Sequence, residues 1–181
     1  MAKPLVLVLG GTRSGKSHHS LELTKDFAGA GRAWFLATAM RGDAELERRI
    51  ERHRSARPES WPTIEVGIDL AAAIGGAAAT EPVLVEGLTL WLSALAGDEP
   101  LDPDPILDGP VAAALEAIGR HAGPVIVVSD EIGLGMVPMH AGARSFRDLV
   151  GLVHQRVAAQ ADEVRLVVAG LPVLLKSSPG Q

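Results

Sequence analysis

The stretch Leu5-Val6-Leu7-Val8-Leu9-Gly10-Gly11-Thr12-Arg13-Ser14-Gly15-Lys16-Ser17 decides the fold of this chain. Five apolar residues in a row read as a short strand covered on both faces. The eight that follow satisfy G-x-x-x-x-G-K-[ST] in full, and Ser17 to Phe27 has helical spacing. Strand, glycine-rich loop and helix in this order make a phosphate cradle. Glycines let the backbone curl so that its N–H groups point inward, and the helix N-terminus adds partial positive charge. In such a loop Lys16 reaches the β- and γ-phosphates and the Ser17 hydroxyl ligates Mg2+. Gly10, Gly11, Thr12, Arg13, Ser14, Gly15, Lys16 and Ser17 are therefore nucleotide-binding candidates. A chance glycine-rich turn would not also be flanked by a strand and a helix.

Moving outward, further Val- and Leu-rich runs occupy 33–37, 82–86, 124–128 and 163–169, and helical spacing marks 15–28, 43–56, 69–79, 105–121 and 142–160. Strands alternating with helices predict an α/β chain of three layers, with a mostly parallel sheet between helices. A last run, Pro172 to Lys176, follows too closely for a parallel crossover and predicts an antiparallel edge hairpin. Gly97 to Pro110 holds four of the 12 prolines and reads as a surface excursion, and 177–181 reads as a frayed tail. Residues 1–181 are expected to form a single P-loop domain.

Composition narrows the function. The 181 residues are 47% hydrophobic and 22% charged, the balance of a packed globule. Lys plus Arg is 17 against 22 for Asp plus Glu, a formal net charge of −5, so nucleic-acid binding is not expected. The absence of Cys removes thiolate metal sites and cysteine nucleophiles. Apolar runs of about five residues fall far short of the roughly 20 that a membrane span needs, and a cytoplasmic protein is expected.

A P-loop enzyme usually places a carboxylate at the end of another strand to hold Mg2+. Glu86, closing Val83-Leu84-Val85, is the first candidate, and Glu131 is the second. The segment 43–57 is the other unusual feature, with Arg48, Arg49, Arg52, Arg54 and Arg57 around His53. At 100° per residue, Leu46, Ile50, His53 and Arg57 share one helical face, so an apolar stripe runs into a histidine and then an arginine. A lone helical histidine is usually a structural one. An arginine cluster beside a phosphate loop favours a site, because guanidiniums suit triphosphates.

The same residues carry a resemblance that runs nearly the length of the chain. After GGTRSGKS come LATA at 36–39 and D-x-E-x-x-x-R-I-x-x-H-R-x-x-R-P at 43–58, then Trp61, Thr63 and Glu65. VEGLTLWLS follows at 85–93, SDEIGLGMVP at 129–138, R-x-F-R-D-x-x-G at 144–151, then QRVA, ADEV and VVAGLPVLLK. This succession resembles the bifunctional adenosylcobinamide kinase/adenosylcobinamide-phosphate guanylyltransferases of cobalamin biosynthesis. The resemblance implies two reactions on a corrinoid. A nucleoside triphosphate, ATP or GTP, phosphorylates the aminopropanol hydroxyl of adenosylcobinamide. GTP then donates GMP to a histidine, and the corrinoid phosphate takes it to give adenosylcobinamide-GDP. The matching histidine is His53, which makes His53 and Lys16 the catalytic candidates. Nucleotide contacts are implied for the P-loop, for Ala37, Thr38 and Ala39, for Arg54, Ser55, Ala56 and Arg57, and for Glu65 and Glu86. Ser17 and Glu86 are the implied Mg2+ ligands, and a homotrimer is the implied assembly.

Two positions depart from the family's usual pattern: Asp130 and His154 stand where Asn is common. A P-loop kinase of another small alcohol, with no guanylyl transfer, is the alternative, and a nucleotide-binding regulatory module is a third reading. Neither rival has a use for His53.

Overall fold

A computed structural model describes residues 4–38, 57–97 and 99–177. The helix expected over 43–56 lies outside these residues. Among them, seven strands form one sheet: β1 (Leu5–Gly10), β2 (Trp34–Ala37), β3 (Thr63–Glu65), β4 (Val83–Glu86), β5 (Val125–Asp130), β6 (Glu163–Val168) and β7 (Leu171–Ser177). Their order is β3-β2-β4-β5-β1-β6-β7. Every pairing is parallel except that of β6 with β7. The expected mostly parallel sheet with an antiparallel edge hairpin is therefore present.

Burial on both faces accounts for the continuous apolar runs. Leu5, Leu7 and Leu9 of β1 belong to the larger core cluster, and Val6 and Val8 to a second cluster on the opposite face. The second cluster includes Leu21 of helix α1 (Lys16–Ala28). The larger cluster takes in α2 (Leu70–Gly76), α3 (Leu88–Ala96), α5 (Ala112–Arg120) and α6 (Ala141–Gln160). A strand in the middle of such a sandwich has no polar face, because each side chain buried is worth about 1.5–3 kcal/mol.

Three elements differ from the sequence reading. Helix α3 carries no spacing signal, because Leu88-Thr89-Leu90-Trp91-Leu92 is apolar nearly all round. It starts instead from Gly87, held at φ +90°. Strand β3 is too short, at three residues, to show a period. The proline-rich excursion ends early, where the helix expected over 105–121 begins. A single turn, α4 (Asp104–Ile106), runs into a π-type turn at Leu107–Val111 that continues directly into α5. Leu107 and Val111 are buried, and the wide turn accommodates Pro110, which has no N–H to give.

The chain order places the site. From β1 the chain crosses to β2 on one side, and from β5 it crosses to β6 on the other. Ligands of open α/β sheets bind where the winding reverses, at the carboxyl ends of the strands. Here that point is the end of the adjacent strands β1 and β5, where Gly10 lies opposite Asp130.

Candidate active site

The loop between β1 and α1 is shaped by backbone demands that the sequence meets. Gly15 sits at φ +97° and Arg13 at φ +56°. A Cβ on Gly10 would lie 2.4 Å from Ser14 Oγ and 2.8 Å from the Val167 carbonyl oxygen, so only glycine fits there. On its far side the loop rests on the β6–β7 turn. The Gly170 N–H donates to the Ser14 carbonyl at 2.7 Å, and a Cβ on Gly15 would come within 3.0 Å of Gly170 Cα. That turn is two residues long, with Ala169 at φ +52° and Gly170 at φ +81°, the primed geometry that matches strand twist. The antiparallel hairpin thus buttresses the phosphate loop. Among the described residues no side chain caps α1, which leaves its first N–H groups facing the loop.

Lys16 is almost wholly buried, its Nζ donating to the Gly11 carbonyl at 3.2 Å and pairing with Asp130 Oδ1 at 2.5 Å. Beside it the Ser17 hydroxyl donates to Glu86 Oε1 at 2.6 Å, although β5 lies between their strands in the sheet. The loop and the first carboxylate candidate are therefore in direct contact. Thr38 holds the corner that carries Glu86. Its buried hydroxyl lies 2.8 Å from the Glu86 carbonyl oxygen and 2.6 Å from that of Gly87. Ala37, Glu65 and Glu86 share one level at the ends of β2, β3 and β4, since Ala37 is in register with both acids.

Arg57 lies farther out along β2 and β3. Its guanidinium stacks 3.7 Å from the Phe35 ring centroid and donates to Thr63 Oγ1 at 3.0 Å. Thr12 and Arg13 are exposed on the loop. Ala39, His53, Arg54, Ser55 and Ala56 lie outside the described residues.

Glu131, the second carboxylate candidate, is engaged elsewhere. Its Oε1 accepts from the Gly133 N–H at 2.5 Å, and its Oε2 lies 3.6 Å from His154 Nδ1. His154 is buried, and its Nε2 is 2.7 Å from the buried Ser129 Oγ. Ser129 Oγ is 2.9 Å from Thr89 Oγ1, which accepts from the Asp130 N–H at 2.9 Å. Burial pushes the His154 imidazole below its ordinary pKa, with Glu131 and Asp130 opposing that shift. Sequence reasoning reaches Asp130 and His154 only as departures and misses that they belong to one cluster. The cluster is assembled from α3, β5 and α6, so no local spacing carries it.

Residues 6–175 match the model of one family, cobinamide kinase / cobinamide phosphate guanyltransferase. The chain belongs to this family. It is 43% identical over 175 residues to the bifunctional adenosylcobalamin biosynthesis protein CobP of Pseudomonas aeruginosa, covering 96% of this chain and 98% of that protein. It is 37% identical over 183 residues to CobU of Escherichia coli, with 95% and 99% covered, and 36% identical to CobU of Salmonella typhimurium. Among solved structures, an ATPase domain superposes with a TM-score of 0.56 at 12% identity, over 99% of this chain and 78% of that one. That likeness shows a P-loop ATPase fold. Kinase and guanylyltransferase chemistry are the activities of the family itself.

Proposed function

We propose that this chain catalyses both reactions of its family on one corrinoid: phosphorylation of adenosylcobinamide, then GMP transfer to its phosphate by way of guanylylated His53. The observation that carries this reading is the family match over 6–175 together with Lys16, Ser17 and Glu86 meeting at the reversal point of the sheet. In the kinase step the aminopropanol oxygen attacks the γ-phosphorus of ATP or GTP, the nucleoside diphosphate leaves, and the hydroxyl proton is released. Lys16 and the loop N–H groups face the charge that develops on the phosphoryl oxygens. In the second reaction a neutral His53 nitrogen attacks the α-phosphorus of GTP and pyrophosphate leaves. An oxygen of the corrinoid phosphate then takes the guanylyl group and frees the imidazole.

A serine hydroxyl touching a carboxylate is a hard oxygen set that suits Mg2+, so Ser17 and Glu86 would hold the ion. When bound, the ion supplies charge neutralisation between phosphate oxygens. Ala37, Thr38, Glu65 and Arg57 belong to the nucleotide side of the same reading, with Ala39, Arg54, Ser55 and Ala56. Thr38 then acts through its grip on the Glu86–Gly87 corner.

The assembly we propose is a homotrimer. The edge strand β7 supports it, since Leu171, Val173, Leu174 and Leu175 are exposed along a strand that has no neighbour on its outer side among the described residues. The reaction would run in the cytoplasm, where the triphosphates are. Among the described residues no helix is long and apolar enough to cross a membrane.

The test is covalent labelling. With Mg2+ and α-labelled GTP, wild-type protein should acquire acid-labile, alkali-stable label, and His53→Ala should acquire none while keeping part of its kinase turnover. Undiminished labelling of His53→Ala would sink the assignment. An unlabelled wild type that still phosphorylates cobinamide would reduce the activity to the kinase.

A further inference from the structure

We propose that Asp130 competes with bound triphosphate for the Lys16 ammonium, and that His154 is a positioning residue that holds Asp130 to this task through Ser129 and Thr89. The inference rests on the nucleotide-binding reading of the P-loop and adds to it a device that sets affinity.

The hydrogen bonds of the cluster can be assigned a consistent direction. The Asp130 N–H donates to Thr89 Oγ1, so the Thr89 hydroxyl proton is free to go on to Ser129 Oγ at 2.9 Å. The Ser129 hydroxyl, having accepted, donates to His154 Nε2 at 2.7 Å. A neutral His154 that accepts at Nε2 carries its proton at Nδ1, facing Glu131 Oε2 at 3.6 Å. Glu131 is itself pinned by the Gly133 N–H. Each hydroxyl donates once and accepts once, and the chain ends on a carboxylate. Ser129 is fully buried and His154 and Thr89 nearly so, so water cannot replace a lost partner without opening the core.

The output of this chain is the backbone at Asp130. Asp130 pairs in register with Gly10, and the Glu131 N–H donates to the Gly10 carbonyl at 3.0 Å, so the strand end is fixed to β1 as well as to Thr89. From that anchor the Asp130 carboxylate reaches Lys16 Nζ. Asp130 is the carboxylate paired with this ammonium, and the next residue, Ser17, is held by Glu86. A γ-phosphate drawn to Lys16 therefore meets a carboxylate already within 2.5 Å of the same charge. Two anions sharing one ammonium weaken each other's hold. A neutral amide at 130 would hydrogen-bond the ammonium without that repulsion.

The experiment titrates a fluorescent GTP analogue, mant-GTP with Mg2+, into wild type and variants whose folding is checked by circular dichroism. Asp130→Asn should bind about two- to fivefold tighter, the scale of one partly exposed ion pair. His154→Leu and Ser129→Ala should shift binding in the same direction by less, because each loosens Asp130. His154→Gln keeps an acceptor for the Ser129 hydroxyl and should bind like wild type. In the Asp130→Asn background, His154→Leu should add nothing, the signature of one acting through the other. Tightening caused by removing a buried histidine is not what a merely structural residue does, since damage to the core weakens binding. Equal or weaker binding by Asp130→Asn overturns the competition. A His154→Leu effect that persists in the Asp130→Asn background overturns the positioning role. A wild type that binds no mant-GTP overturns the P-loop reading itself, which keeps the two failures apart.

Discussion

The phosphate loop after β1 and the acidic corner after β5 lie side by side, yet they are made of different material. The loop is eight consecutive residues, and what shapes it is backbone: glycines at 10 and 15, a turn against Gly170, N–H groups left uncapped at the start of α1. The corner is side chains gathered from positions 89, 129, 130, 131 and 154. A backbone-shaped site tolerates almost no change at Gly10 and Gly15, and what it asks of distant sequence is mainly the backbone of the 167–170 turn. A side-chain network can be tuned residue by residue, because each link shifts the next by a fraction of the whole interaction. Loop and corner meet through side chains at Lys16 and Asp130, and through backbone where the Glu131 N–H donates to the Gly10 carbonyl.

Removing the loop's charge is the harshest way to break this pairing. Lys16→Ala should suppress both kinase turnover and guanylylation by at least about a hundredfold, the scale of losing a central charge-stabilising group. Rates of corrinoid phosphorylation and label transfer from α-labelled GTP, measured on the same preparation, check it. Near-normal kinase turnover would show that the loop is not the shared cradle.

A gentler test compares two adjacent glycines. A Cβ at Gly10 meets Ser14 Oγ at 2.4 Å and a backbone carbonyl at 2.8 Å, whereas a Cβ at Gly11 meets nothing within 4 Å. Gly10→Ala should therefore lower unfolding free energy by about 1–3 kcal/mol, the usual cost of forcing an extra carbon into a packed site. Gly11→Ala should leave stability within about 0.5 kcal/mol, as open positions do. Thermal unfolding of the pair checks the contrast, and equal losses would mean that the loop gives way at Gly10.

Legibility in the sequence follows the same division. The strand–loop–helix at 5–28 and the parallel sheet can be read because each depends on neighbours in sequence: apolar runs, glycine spacing, a helical period. Helix α3 escapes because its burial erases the amphipathic period, and the π-type turn at 107–111 because its widening answers to Pro110 and to packing together. Within the site, Glu86 is legible as the acid ending a strand, and it lies on Ser17. Glu131 satisfies the same rule equally well, and only the fold shows its oxygens turned to Gly133 and His154. Asp130 differs from Glu131 by one residue along the chain. Side chains alternate across a strand, so which of the two faces the P-loop depends on register, and register is tertiary.

The smallest effect sharpens the comparison from the corner's side. Burial holds the His154 imidazole below its ordinary pKa, while Glu131 and Asp130 pull the other way without prevailing. The unfolded chain, with an imidazole pKa of about 6.5, therefore binds a proton more readily than the folded chain. Stability from neutral His154 is complete above that unfolded value and is lost as pH falls through the lower folded value. His19 is also lowered, first by burial and then by Arg165, and contributes with the same sign. The lowered carboxylates Glu22 and Glu81 act in a separate, more acidic window. A difference between wild type and His154→Gln cancels His19 and isolates His154. On lowering the pH from about 7.5 to about 5.5, a range that brackets the unfolded imidazole pKa, wild type should lose stability faster than His154→Gln. The gap in unfolding temperature should therefore move in favour of the variant. A gap that stays constant across this range would mean that His154 takes up no proton differentially. The imidazole would then protonate in the folded chain within this same range, and a protonated Nε2 cannot accept from the Ser129 hydroxyl.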